Sequence, residues 1–256
     1  MNDPTLSSPA RRRALSAMCA CSGAAASAPL LGGGVLRALL AGAAASSVAL
    51  PAIAAAVKTT VTPDQALNRL MEGNRLFLQG RLPPVVNNAA RRLQIAKSQA
   101  PFAILVSCSD SRVPPEALFG VGLGELFIIR VAGNSVSQEG LGSIEYAVAE
   151  LGVPLVLVMG HERCGAVSAA LSVVKDHTIF PGAIGDMVQP ILPAAITTRD
   201  DPGDWLDNAV RRNVVNVVEK LRISGKLIEA PIADGKLRIV GARYDLDDGE
   251  VDFFVS

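Results

Sequence analysis

Three side chains in this 256-residue chain have the types and spacing to share one soft metal ion: Cys108, His161 and Cys164. Each follows a short apolar run. Phe102 to Val106 leads into Ser107-Cys108-Ser109-Asp110-Ser111-Arg112, and Leu155 to Met159 leads into Gly160-His161-Glu162-Arg163-Cys164-Gly165. Such runs read as strands buried on both faces. In open α/β sheets ligands bind just past the carboxyl ends of strands. Two thiolates and one imidazole are a ligand set used by zinc, with the fourth position open to water or substrate. The spacing fits: His161 finishes a strand while Cys164 opens the next helix, where free N–H groups and the helix dipole favour a thiolate. Taken singly, the cysteines would read as inert buried thiols and the histidine as a core residue. Two adjacent strand ends carrying them together point to a metal.

Asp110 and Arg112 bear on what that metal does. With Asp110 as the fourth ligand the site is closed, as structural zinc sites are. With that position open, two thiolates already cancel the charge of Zn²⁺, so its water is acidified less than in a three-histidine site. A working site then needs a neighbour to hold that water. Arg112, two residues on, would keep Asp110 ionised and aimed for this task. The plainer reading, a surface Asp–Arg pair, contributes little.

The elements that must position these groups follow from pattern. Thr62-Pro63-Asp64-Gln65 has the capping box and first-turn proline of a helix start, with an apolar face to Leu78 and a stop at Gly80. Leu82 to Asn88 is loop, and Ala90 to Lys97 a second helix. After Arg112 a short helix ends near Gly120. Gly120-Val121-Gly122-Leu123-Gly124 precedes the strand Leu126 to Val131, so it is a turn rather than a dinucleotide loop. Helices are expected over Leu141–Leu151, Ala166–Val174, around Ile184 to Ile196, and over Trp205–Leu221. Leu237 to Ala242 is a fourth strand, and Asp247-Asp248-Gly249 turns it into Val251–Val255, antiparallel. The fold expected is α/β: a mixed sheet with a parallel core of about four strands, an antiparallel C-terminal edge strand, and helices on both faces.

Composition narrows the function. Lys+Arg and Asp+Glu balance at 24 each, so no basic excess points to nucleic acid. Two histidines exclude a site of three imidazoles from one chain. Residues 1–56 read as an export signal: Arg11-Arg12-Arg13, then a long Gly/Ala/Ser/Leu stretch with Arg37 its one charge, then small residues at Ala52-Ile53-Ala54 and Ala54-Ala55-Ala56. The paired arginines favour the twin-arginine type and a periplasmic destination. An uncleaved membrane anchor is the alternative. Export of a folded, metal-loaded protein would spare Cys108 and Cys164 from oxidation. Residues 57–256 are left as one zinc domain.

The motifs C-x-D-x-R at Cys108-Asp110-Arg112, G-E-L-F at Gly124–Phe127, R-V-A-G-N at Arg130–Asn134, E-Y-A-V at Glu145–Val148 and G-H-x-x-C-G at Gly160–Gly165 together resemble the β-class carbonic anhydrases. The similarity runs from about Thr62 to Ser256. It implies Cys108, His161 and Cys164 as zinc ligands, Asp110 and Arg112 as a catalytic dyad, and attack of zinc-bound hydroxide on carbon dioxide to give bicarbonate and a proton. It further implies a plant-like branch in which Gln99, Phe127 and Tyr146 form the substrate pocket, facing the metal of a neighbour in a homodimer or dimer of dimers. Phe77 stands where the bicarbonate-regulated branch carries Trp, and Val131 where many members carry Asn. Two other readings keep the fold: a hydrolase of carbon disulfide or carbonyl sulfide, and a non-catalytic, zinc-stabilised subunit.

Overall fold

The computed structural model describes residues 58–255, so the export signal expected over residues 1–56 lies outside the described residues. Helix α1 (Pro63–Leu78) starts as its capping box dictates: the Gln65 N–H donates to the Thr62 hydroxyl at 3.3 Å, and the Thr62 N–H donates to the Gln65 side chain at 3.0 Å. Then come α2 (Ala89–Ile95), β1 (Ala103–Ser107), α3 (Pro115–Leu118), β2 (Leu126–Arg130), α4 (Gln138–Ala149), β3 (Leu155–His161), α5 (Gly165–Asp176), α6 (Ala183–Val188), α7 (Leu192–Thr197), α8 (Trp205–Arg222), α9 (Lys226–Ala233), β4 (Arg238–Tyr244) and β5 (Val251–Val255). Among the described residues no helix is long and apolar enough to cross a membrane.

The five strands form one sheet in the order β2-β1-β3-β4-β5, the first four parallel and β5 antiparallel to β4. This is the expected mixed sheet. β1 and β3 are fully buried, and alternate residues feed opposite cores. Leu105, Leu155, Leu157 and Met159 meet Leu70 of α1 and Leu118 of α3 on one face. Ile104, Val106, Val156 and Val158 meet Ile144 of α4, Val214 and Val218 of α8, and Ile228 of α9 on the other. That double burial explains why both strands read as unbroken apolar runs. The chain leaves β1 toward β2 on one side and continues through β3 and β4 on the other, so the strand order reverses between β1 and β3. A crevice opens at such a reversal.

Several elements differ from their sequence pattern. The single helix expected around Ile184 to Ile196 is α6 and α7 separated by a 3₁₀ turn, Gln189–Ile191, because Pro190 and Pro193 lack the N–H a continuous helix needs. Helix α4 starts at Gln138 rather than Leu141, capped by the Ser137 hydroxyl. Helix α9 has no counterpart in the sequence reading, for Pro231 lies inside it and Ile228 is its one buried residue. β4 runs on to Tyr244, two residues beyond its apolar run, and Asn74 of α1 ties the following turn down. The Asn74 amide donates to Gly249 O at 3.0 Å and accepts from the Val251 N–H at 2.9 Å.

Candidate metal centre

The β1/β3 reversal is where Cys108, His161 and Cys164 meet. Ser107 pairs with Met159, so Cys108 emerges beside Gly160 and His161, and Cys164 caps α5 just beyond. The three are 5%, 0% and 1% exposed, and their ligand atoms all lie within 4.8 Å of one another. The two sulfurs are 4.0 Å apart. The Nδ1 of His161 sits 2.8 Å from the Glu162 carbonyl, which can only accept, so Nδ1 carries the proton and Nε2 presents a lone pair. That Nε2 is buried and has no hydrogen-bond partner. A buried, unpartnered acceptor is costly unless something occupies its lone pair. A cation between it and the two sulfurs does so, and the donor set is one that zinc takes.

The local charge agrees. Cys108 is driven well below the ordinary thiol range by the hydrogen bond from Cys164, with further help from the N–H groups of Gly133 and Asp110. Cys164 is driven up by the same bond, by burial and by the Cys108 charge. Each thiolate opposes the other here, and a dication between them removes that opposition. The Gly133 N–H donates to Cys108 Sγ at 3.3 Å.

Asp110 faces the same space: its Oδ2 is 3.9 Å from His161 Nε2. Both carboxylate oxygens are engaged by Arg112, whose Nε donates to Oδ1 at 3.0 Å and Nη2 to Oδ2 at 2.8 Å, and the Arg112 N–H adds a 2.9 Å bond to Oδ1. The Arg112 guanidinium holds the Asp110 carboxyl far below the usual carboxylate range.

Arg130, at the end of β2, is a contributor that the sequence reading placed in a motif without a role. Its Nε donates to Cys108 O at 2.8 Å and its Nη2 to Asp110 O at 2.5 Å, so one side chain clamps the segment carrying Cys108 and the carboxylate. An arginine closing an edge strand was the signal available. Gln99, Phe127 and Tyr146 lie elsewhere. Gln99 is exposed in the loop entering β1, at the end away from Cys108. Phe127 pairs with Ile104, four residues and hence about 13 Å of strand before Cys108. Tyr146 of α4 is 40% exposed, its ring centre 6.5 Å from that of Phe127. The chain does not bring these three to Cys108, His161 and Cys164.

A soft-metal ligand set at the reversal point of a parallel sheet, with an arginine-held carboxylate beside it, defines a zinc-dependent enzyme of the α/β class. Residues 103–251 match the family model described as carbonic anhydrase. Carbonic anhydrase 2 of Mycobacterium tuberculosis is 41% identical over 187 residues, spanning 73% of this chain and 90% of that one. The carbonic anhydrase of Mycolicibacterium smegmatis is 36% identical over 190 residues, 74% and 92% of the two chains. Among solved structures, a tetrameric β-carbonic anhydrase of Sordaria macrospora superposes with a TM-score of 0.59 at 26% identity, over 65% of this chain and 87% of that one. The Coccomyxa β-carbonic anhydrase in complex with acetazolamide gives 0.57 at 28% identity, over 74% and 86%. The chain belongs to the β-class carbonic anhydrases, zinc enzymes that hydrate carbon dioxide reversibly to bicarbonate and a proton.

Proposed function

We propose that Cys108, His161 and Cys164 hold the zinc and that Asp110, aimed by Arg112, is the group that works on the water beside it. The unpartnered His161 Nε2 facing two buried sulfurs carries this reading. Zinc held by these three residues would supply Lewis acidity toward a water beside it. The Asp110 carboxylate, held charged by Arg112, is an acceptor only. It takes a hydrogen bond from the water's O–H and so turns an oxygen lone pair toward the carbon of carbon dioxide. One of the water's two protons passes to solvent as its oxygen bonds to that carbon, so the products are bicarbonate and a proton. Arg130 holds the Cys108–Asp110 segment still while this happens.

Gln99, Phe127 and Tyr146 we assign to the substrate pocket of a neighbouring protomer, as in the plant-like branch. Two features support this: the three lie at the far end of β1 from their own metal ligands, and among the described residues β2 is an edge strand of half-buried residues with one side unpaired. A homodimer, or a dimer of dimers like the tetramers of Sordaria macrospora, follows. Residues 57–256 are the zinc domain, and the leader directs export to the periplasm through a twin-arginine signal.

Mixed oligomers test the site. Chains carrying Cys108→Ser and chains carrying Gln99→Ala with Tyr146→Ala should each be nearly inactive alone. Co-expressed, they should regain hydration activity, since each mixed dimer holds one intact composite site. No recovery in mixed oligomers of confirmed composition sinks the cross-protomer pocket. A wild-type protein holding far less than one zinc per chain sinks the ligand assignment. N-terminal sequencing of the periplasmic protein tests the leader, and a start at Met1 refutes cleavage.

A further inference from the structure

Asn213 lies on the inward face of α8 among Val210, Val214, Val217 and Leu221 and is 1% exposed. Packing of an amphipathic helix on a sheet calls for an apolar side chain there. Its Nδ2 donates to the carbonyl of Gly133 at 2.8 Å. Gly133 has φ +69°, and a Cβ on it would lie 2.5 Å from Cδ1 of Ile191 and 3.2 Å from Cβ of Ala166, so glycine is required. Glycine brings no side chain to anchor the turn and has the widest backbone freedom of any residue. The position is instead gripped from both sides: its carbonyl by Asn213, while its own N–H donates to Cys108 Sγ at 3.3 Å.

We infer that Asn213 is a positioning residue for the metal centre: by fixing Gly133 it keeps a backbone N–H on the Cys108 sulfur and sets how strongly that sulfur donates to zinc. The inference rests on the proposed role of Cys108 as a ligand. A hydrogen-bonded thiolate passes less charge to a cation than a bare one, and such bonds tune metal–sulfur centres generally. Where two thiolates already neutralise the cation, this withdrawal preserves Lewis acidity. The buried amide therefore does more than satisfy a carbonyl.

The test uses the whole chain with Asn213→Leu, which keeps volume, and Asn213→Ala, which avoids overpacking. Val218→Ala, a buried position of the same helix with no contact to Gly133 in the hydrogen-bond network, serves as the stability control. Three quantities are read: the thiolate-to-cobalt charge-transfer band of the cobalt-substituted protein, zinc affinity against a chelating dye, and the melting temperature. In both Asn213 variants the band should move to longer wavelength as the bared sulfur donates more strongly, and zinc should bind about 10- to 100-fold more weakly, because the loosened turn no longer orients Cys108 and that loss outweighs the stronger donation. Val218→Ala should lower the melting temperature with the band unmoved. Band and affinity in either Asn213 variant equal to those of Val218→Ala overturn the inference. In the wild-type protein loaded with an NMR-active cadmium isotope, the Gly133 amide proton should show scalar coupling to the metal through the hydrogen bond, and its absence overturns the inference without any variant. A wild-type cobalt protein lacking a thiolate band removes the ligand assignment itself, which separates the two failures.

Discussion

Gly160 precedes His161 on β3, and the protein should not accept a methyl there. A Cβ at Gly160 would lie 2.8 Å from Cγ2 of Val214 and 3.1 Å from Cγ1 of Val210. Carbon atoms pack at about 3.5–4.0 Å. Gly160→Ala therefore needs α8 to retreat by about 1 Å or Val214 to leave its rotamer. Overpacking of this kind costs about 1–3 kcal/mol. At about 2–4 °C per kcal/mol for a chain of this size, the melting temperature should fall by roughly 2–12 °C. Val214→Ala, at a position with no exposure, removes two methyl groups worth about 0.8 kcal/mol each and leaves a cavity, for roughly 2–3 kcal/mol in all. In the double variant the new methyl at position 160 enters the space vacated at 214. The pair should then be less destabilised than the sum of the single changes by about 1–2 kcal/mol. Denaturant unfolding of the four zinc-loaded proteins at one fixed protomer concentration measures that coupling. Zinc affinity should drop in Gly160→Ala and recover in the double variant, because His161 is displaced with its neighbour. Additivity within about 0.5 kcal/mol would refute the claim that β3 and α8 are held in contact by the missing side chain.

Asp110→Asn should retain zinc yet lose about 10²- to 10⁴-fold in kcat/KM, the scale of a positioned proton-handling group; stopped-flow hydration at wild-type rates removes the dyad from the mechanism. Cys108→Ser should lose stoichiometric zinc and melt at lower temperature, and metal analysis showing one zinc per chain contradicts that. Turnover should rise between about pH 6 and about pH 9, since two sulfur ligands leave the reacting water a weak acid, and a flat profile argues otherwise. Acid should destabilise the fold. Arg243 and the Asp247 N–H hold Asp245 below the usual carboxylate range, and Glu125, though burial alone would raise it, is held below by the Gly122 N–H and Arg69. Both folded values lie under the unfolded ones, so the folded state binds fewer protons. The stability they contribute is present at neutral pH and lost as pH falls below about 4. Melting temperatures unchanged from pH 6 to pH 3 would contradict this.

The three side chains that meet at the candidate metal centre and most elements around them were legible in the sequence, because each announces itself locally. The runs before Cys108 and His161 are unbroken because β1 and β3 are buried on both faces, and the Thr62–Gln65 box needs only its own four residues to start α1. The bend between α6 and α7, the early start of α4 and the Pro231-containing α9 were not legible, since packing against neighbours overrides their local signals. Three facts exist only in the folded molecule: that the strand order reverses between β1 and β3, that Arg130 reaches back to two carbonyls beside the ligands, and that Asn213, 80 residues along the chain from Gly133, holds the turn whose N–H meets a sulfur. The sequence alone determined which atoms could grip zinc, because ligand chemistry belongs to side-chain type and short spacing. Tertiary structure decided how those atoms are held and tuned, because hydrogen bonds between distant segments depend on where the sheet and its helices bring them.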